Sequence, residues 1–178
     1  RVAWGDANGD GYDDLLLGGW RLWLNDGGLG FREVTDSSGL RGEGVTGGVW
    51  ADADLEGRLD LFCAANGQGL SGDRLYLNRG NNAAGVPRFE EATQLAGVIS
   101  DSFPTEGAAW GDLQGDGRPD LYVANYEKPG PALGQGSPDF LYLNVFDPVS
   151  PLGFHFERLS PDSGLIPPFG ENLCGRGV

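Results

Sequence analysis

Histidine is nearly missing from this chain of 178 residues: His155 stands alone, between Phe154 and Phe156. A Ser-His-Asp or Cys-His arrangement has only that residue to draw on, and a structural role suits a histidine flanked by phenylalanines. Cysteine is scarce as well, so a disulfide-dense scaffold is excluded. Cys63 lies in an apolar strand and reads as an inert buried thiol, while Cys174 sits in a loop-like Asn-Leu-Cys-Gly run. No apolar run approaches the length of a membrane span, and no signal peptide is present. The chain opens directly on a repeat, so any targeting segment is expected to have been removed or to lie outside it. Basic residues are few: 12 Lys and Arg stand against 26 Asp and Glu, a formal charge of −14 that would repel nucleic acid. No stretch reads as a convincing helix.

What is abundant is glycine, 32 residues, beside 11 prolines and without collagen's three-residue period. Hydrophobic residues make up 39% and aromatic ones 11%, enough for a packed core. Many glycines between short aromatic and β-branched runs predict an all-β protein rich in turns.

The acidic residues are not scattered. Asp6-Ala7-Asn8-Gly9-Asp10-Gly11-Tyr12-Asp13-Asp14 places oxygen-bearing side chains at positions 1, 3, 5 and 9 and a glycine at position 6. A hard cation such as Ca²⁺ takes six to eight oxygens at about 2.3–2.6 Å, and such a loop can wrap one. Asp6, Asn8, Asp10 and Asp14 would offer side chains, and Tyr12 its backbone carbonyl. One match could be an ordinary turn, but the pattern recurs. Asp52, Asp54, Glu56, Gly57 and Asp60 repeat it, as do Asp112, Gln114, Asp116, Gly117 and Asp120. An EF-hand is excluded, since the twelfth positions are Leu17, Cys63 and Val123 and the flanks read as strands. The ten carboxylates of the three loops repel one another without a cation, which predicts folding coupled to metal.

A longer unit surrounds each loop. A small-residue strand ending in Trp4, Trp50 or Trp110 precedes it, and an apolar strand beginning at Leu15, Leu61 or Leu121 follows. A third strand ends in Asn25, Asn78 or Asn144; a fourth opens on Phe31, Phe89 or Phe154; a turn closes on Gly39-Leu40, Gly97-Val98 or Gly164-Leu165. Loops begin at residues 6, 52 and 112, and the unequal spacing falls in the connections 67–73, 79–88, 127–139 and 145–153. Four antiparallel strands per unit predict a β-propeller blade. The expected units are 1–46, 47–106 and 107–176, with 177–178 opening a fourth. About three blades do not close a propeller, so further blades of the same chain or self-association are expected. Trp4, Trp50, Trp110, Tyr76 and Tyr142 are expected to pack between blades, and Trp20 and the 126–139 loop to be freer for a partner.

Taken together, these motifs resemble the FG-GAP/VCBS-type repeat of integrin α-subunit propellers. In wording they are similar above all to proteins related to cartilage acidic protein. That resemblance implies Ca²⁺ at positions 1, 3, 5, 7 and 9 of each loop, so that Arg58 and Arg118 join Tyr12 as carbonyl ligands. The departures are Leu55 and Glu56 in the second loop, and the neutral Gln114 in the third. It also implies an extracellular or cell-surface module (or a periplasmic one) for adhesion or scaffolding, with protein or glycan partners and no catalysis. Weak open loops suit millimolar extracellular Ca²⁺. The alternative is the non-catalytic or partly catalytic propeller of a carbohydrate-active enzyme.

Overall fold

The computed structural model describes residues 1–42, 44–65, 72–98, 103–126 and 137–160. Cys174, Gly164-Leu165, 177–178 and most of the 126–139 loop lie outside the described residues.

Within them every regular element but one short helical turn is a strand. β1 (Val2–Gly5), β2 (Asp14–Leu17), β3 (Arg21–Asn25) and β4 (Phe31–Glu33) form one antiparallel sheet in chain order. A second comprises β5 (Val45–Ala51), β6 (Asp60–Ala65), β7 (Arg74–Asn81) and β8 (Pro87–Glu91). The third holds β9 (Thr105–Gly111), β10 (Asp120–Asn125), β11 (Phe140–Phe146) and β12 (Phe154–Arg158). These are the three expected blade-like units, here blades 1 to 3. The one helical element among the described residues, not expected from the sequence, is α1 (Thr35–Ser38). It is a single turn with no side-chain cap, ending at Gly39 with φ 85°.

Register also corrects one alignment. Asn25 pairs with Phe31 and Asn78 with Phe89, but Asn144 pairs with Phe156 rather than Phe154. The two phenylalanines lie on the same face, and only pairing with β11 decides between them.

Each blade has two apolar faces because its strands alternate. Leu16, Leu22 and Leu24 of blade 1 pack in one core with Leu61, Cys63, Tyr76 and Phe89 of blade 2. Phe62, Leu75 and Leu77, on the other face of blade 2, pack with Leu121, Val123, Tyr142 and Phe156 of blade 3. The closing turns join in. A Cβ on Gly39 would sit 2.9 Å from the Phe89 carbonyl oxygen, and one on Gly97 2.8 Å from that of Phe156. Both glycines have positive φ, so backbone shape and closeness to the next blade select the same residue.

Tyr76 and Tyr142 are fully buried, as expected. Cys63 is a free, buried thiol whose Sγ lies 3.0 Å from the Gly19 carbonyl oxygen. Trp50 and Trp110 pack at blade junctions, but Trp4 is exposed because no described element covers its side of blade 1. Trp20, expected to be free for a partner, packs against the core shared by blades 1 and 2.

Candidate metal loops at the blade junctions

Each loop bridges the first two strands of its blade, and its backbone folds onto its first aspartate. Asp6 accepts the amides of Asp10 (3.0 Å) and Gly11 (2.8 Å), one on each oxygen. Asp112 accepts Gly115 (2.7 Å) and Asp116 (3.1 Å) on Oδ1 and Gly117 (2.8 Å) on Oδ2. These amides, Gly117 first, hold the exposed Asp112 carboxyl below its ordinary range. Asp52 accepts Gly57 (2.9 Å) on Oδ2, yet its Oδ1 is buried with no partner.

The middle positions differ between loops. Asn8 donates to Asp10 (2.9 Å), and Asp10 accepts the Tyr12 amide (3.0 Å), as Asp116 accepts that of Arg118 (3.0 Å). Gln114 and Asp116 are exposed. The Asp54 side chain is almost enclosed, only 5% exposed, with an Arg79 guanidinium nitrogen at 3.6 Å. Glu56 is half-exposed and paired with Arg58, whose Nε donates to the Asn78 carbonyl at 2.7 Å.

The aspartate at position 9 does a second job that its spacing did not reveal. Asp14 accepts the Ala7 and Asn25 amides, each at 2.9 Å; Asp60 accepts Ala53 and Asn78, each at 2.8 Å. Asp120 accepts Leu113 and Asn144 in the same way, each at 2.8 Å. Each of these buried carboxylates thus ties its loop to the third strand of its blade. Burial raises the Asp14 and Asp54 carboxyls and pushes Asp60 up to about 7, against the pull of its amide donors.

Sequence reasoning also passed over the role of the recurring asparagine of each third strand. It ends β3 at Asn25 but lies within β7 and β11 at Asn78 and Asn144, where those strands run on to Asn81 and Phe146. Asn78 of blade 2 donates to the Ala7 carbonyl of the first loop at 2.9 Å, and Asn144 of blade 3 to the Ala53 carbonyl of the second at 2.7 Å. Asn81 adds a bond of 2.7 Å to the Asn8 carbonyl. The recurrence of Asn was visible in the repeat; its cross-blade target was not.

The loops therefore differ in cover. The first is braced by blade 2 and the second by blade 3, while among the described residues the third has no such brace, and the first and third are both exposed along most of their length. In the second, oxygens of Asp52, Asp54 and Asp60 lie within 4.8 Å of one another, a spacing that one ion could span. Glu56 stands outside that group. A cation suits this set: it would give Asp52 Oδ1 a partner and offset the charge that burial penalises.

Residues 57–123 match the model of the FG-GAP-like repeat family, a stretch from the second loop to β10, just past the third. Among curated proteins none matches the chain. Residues 57–123 are thus similar to an FG-GAP-like repeat, within a chain whose described residues form blade-like four-stranded sheets.

Proposed function

We propose, from that repeat and the loops it contains, that this is a Ca²⁺-binding propeller module that holds its blades together with metal and serves adhesion or scaffolding outside the cell. One observation carries the metal reading: the partnerless, buried Asp52 Oδ1 in a group of three carboxylates whose oxygens lie within 4.8 Å. A buried acceptor without a donor costs about 1–3 kcal/mol, more when charged, and a cation removes that cost.

In the second loop Asp52, Asp54 and Asp60 would hold the ion, with Glu56 joining by leaving Arg58 and Arg58 offering its carbonyl. In the first loop the ligands would be Asp6, Asn8, Asp10, Asp14 and the Tyr12 carbonyl. Those of the third would be Asp112, Gln114, Asp116, Asp120 and the Arg118 carbonyl. Ca²⁺ supplies charge neutralisation and fixes each loop. The residues themselves tie each loop to its own third strand and, in the first and second loops, through Asn78 and Asn144, to the next blade. Metal binding and blade packing are thereby one process. Three ions would bring the formal charge of −14 to about −8.

No chemistry on a substrate is assigned, and a protein or glycan partner is proposed on the resemblance alone. Thermal unfolding tests the metal reading. With dissociation constants of about 10⁻⁴–10⁻³ M and Ca²⁺ at about 10 mM, each site adds about 1.4–2.7 kcal/mol. That is roughly 3–10 °C of Tm per site for a chain of this size. A melting curve that a chelator leaves in place would overturn the reading.

A further inference from the structure

Among the described residues, the carboxylates of the first and third loops pair with no basic side chain, whereas the second loop has two, Arg58 on Glu56 and Arg79 on Asp54. Arg79 comes from β7, one residue past the recurring asparagine. Its Nε donates to Glu90 of β8 at 2.9 Å, and its Nη1 lies 3.6 Å from Asp54 Oδ2. The second distance is too long for a hydrogen bond, so charge alone holds that contact. The Asp54 side chain is 5% exposed and that of Glu90 66%. One guanidinium thus stands between an enclosed carboxylate and an open one.

The other blades show what is particular here. Blade 1 has a cross-strand pair at the same two positions with the charges exchanged, Arg32 Nε donating to Asp26 at 3.1 Å. Blade 3 has Val145 and Glu157 there, and Arg118, the counterpart of Arg58, lies over the Phe146 ring at 5.3 Å. A cross-strand ion pair on exposed strands is by itself an ordinary feature worth little. Only in blade 2 is its third-strand member the cation, and only there does it reach a loop carboxylate.

We propose that Arg79 is a resident counter-cation of the second loop, which a calcium ion displaces toward Glu90 as it binds. The proposal rests on the calcium reading of that loop and adds what sets the affinity of the site. Without metal, the guanidinium offsets part of the charge of Asp52, Asp54 and Asp60, whose oxygens converge within 4.8 Å. A doubly charged ion among those oxygens offsets that charge more fully and repels the guanidinium. Withdrawal breaks no hydrogen bond, because the bond to Glu90 is already in place. Arg79 therefore lowers the calcium affinity of this site while it steadies the empty loop. The first and third loops have no side chain that can make this exchange among the described residues.

Two measurements on the full 178-residue chain test this: calorimetric titration with Ca²⁺, and urea unfolding in chelator. Arg79→Gln binds calcium about tenfold more tightly at one site, and its urea midpoint in chelator falls. Glu90→Gln leaves Arg79 with Asp54 as its one acidic partner and weakens one site about threefold. In the Arg79→Gln background the same Glu90→Gln change has little further effect, which separates displacement of the guanidinium from the mere loss of a negative charge. An ordinary surface pair makes the opposite forecast, with calcium binding unaltered by either substitution. Calcium uptake by the wild type with no gain in affinity in Arg79→Gln overturns the proposal alone. So does an Arg79→Gln midpoint in chelator at or above that of the wild type, or a Glu90→Gln effect of equal size with and without Arg79. A wild-type chain that takes up no calcium overturns the calcium reading and the proposal together.

Discussion

Leu55 is the residue whose backbone fits its side chain worst. It is the one non-glycine residue with positive φ among the described residues, at 59°, and it occupies the loop position held elsewhere by Gly9 and Gly115, both at 72°. A left-handed conformation costs an ordinary L residue about 1–2 kcal/mol, and asparagine tolerates it better. Leu55→Asn therefore raises unfolding stability by about 0.5–1 kcal/mol, read from the urea midpoint; an unchanged or lowered midpoint would contradict this. Calcium affinity separates the carboxylates of the same loop. Asp54→Asn weakens one site at least about tenfold, because its side chain is enclosed beside Asp52 and Asp60. Glu56→Gln weakens it by less, because Glu56 is half-exposed and must first leave Arg58. Titration calorimetry on the two variants distinguishes them, and equal losses would place Glu56 on a par with Asp54. The sharp turns were legible in the sequence because positive φ restricts positions such as Gly11, Gly57 and Gly117 directly. The double role of Asp14, Asp60 and Asp120 was not, since the amides they accept depend on pairing with strands 11 to 24 residues further on.

Among elements, the third strands couple one blade to another. Asn78→Ala removes donors to the Ala7 and Leu59 carbonyls in a buried setting and costs about 2–3 kcal/mol. Asn25→Ala removes a donor to the Asp13 carbonyl alone, at a half-exposed site, and costs about 1 kcal/mol. Urea denaturation of both variants in saturating Ca²⁺ gives the comparison, and equal costs would mean that the cross-blade bond adds nothing. Strand order was readable because apolar residues alternate between turn signals, leaving few ways to place four strands per unit. Two elements escaped. The turn α1 carries no helical period, and β12 offers Phe154 and Phe156 as equivalent starting points. The cross-blade bonds span 71 and 91 residues, so no local pattern encodes their targets.

For the whole molecule, each junction between described blades combines an apolar core with an asparagine bond to the acidic loop of the preceding blade. The first and second loops are each braced at their second residue by an asparagine of the blade that follows, although residues 9–13 of the first stay exposed; among the described residues the third has no such brace. If the loops hold calcium as proposed, the third site should bind it more weakly than the second, in which three carboxylates already converge, and Gln114 in place of a carboxylate acts in the same direction. Blade number and the repeating frame were visible in composition and spacing. The unlike exposure of chemically similar faces was not, since it depends on which blades stand beside which. The central claim is one Ca²⁺ per loop, and counting bound calcium tests it most directly. Equilibrium dialysis at millimolar Ca²⁺ should find about three ions per chain, and Asp6→Ala, Asp52→Ala and Asp112→Ala should each lower that number by about one. A wild-type chain that retains no calcium, or a count that none of the three substitutions changes, would contradict it.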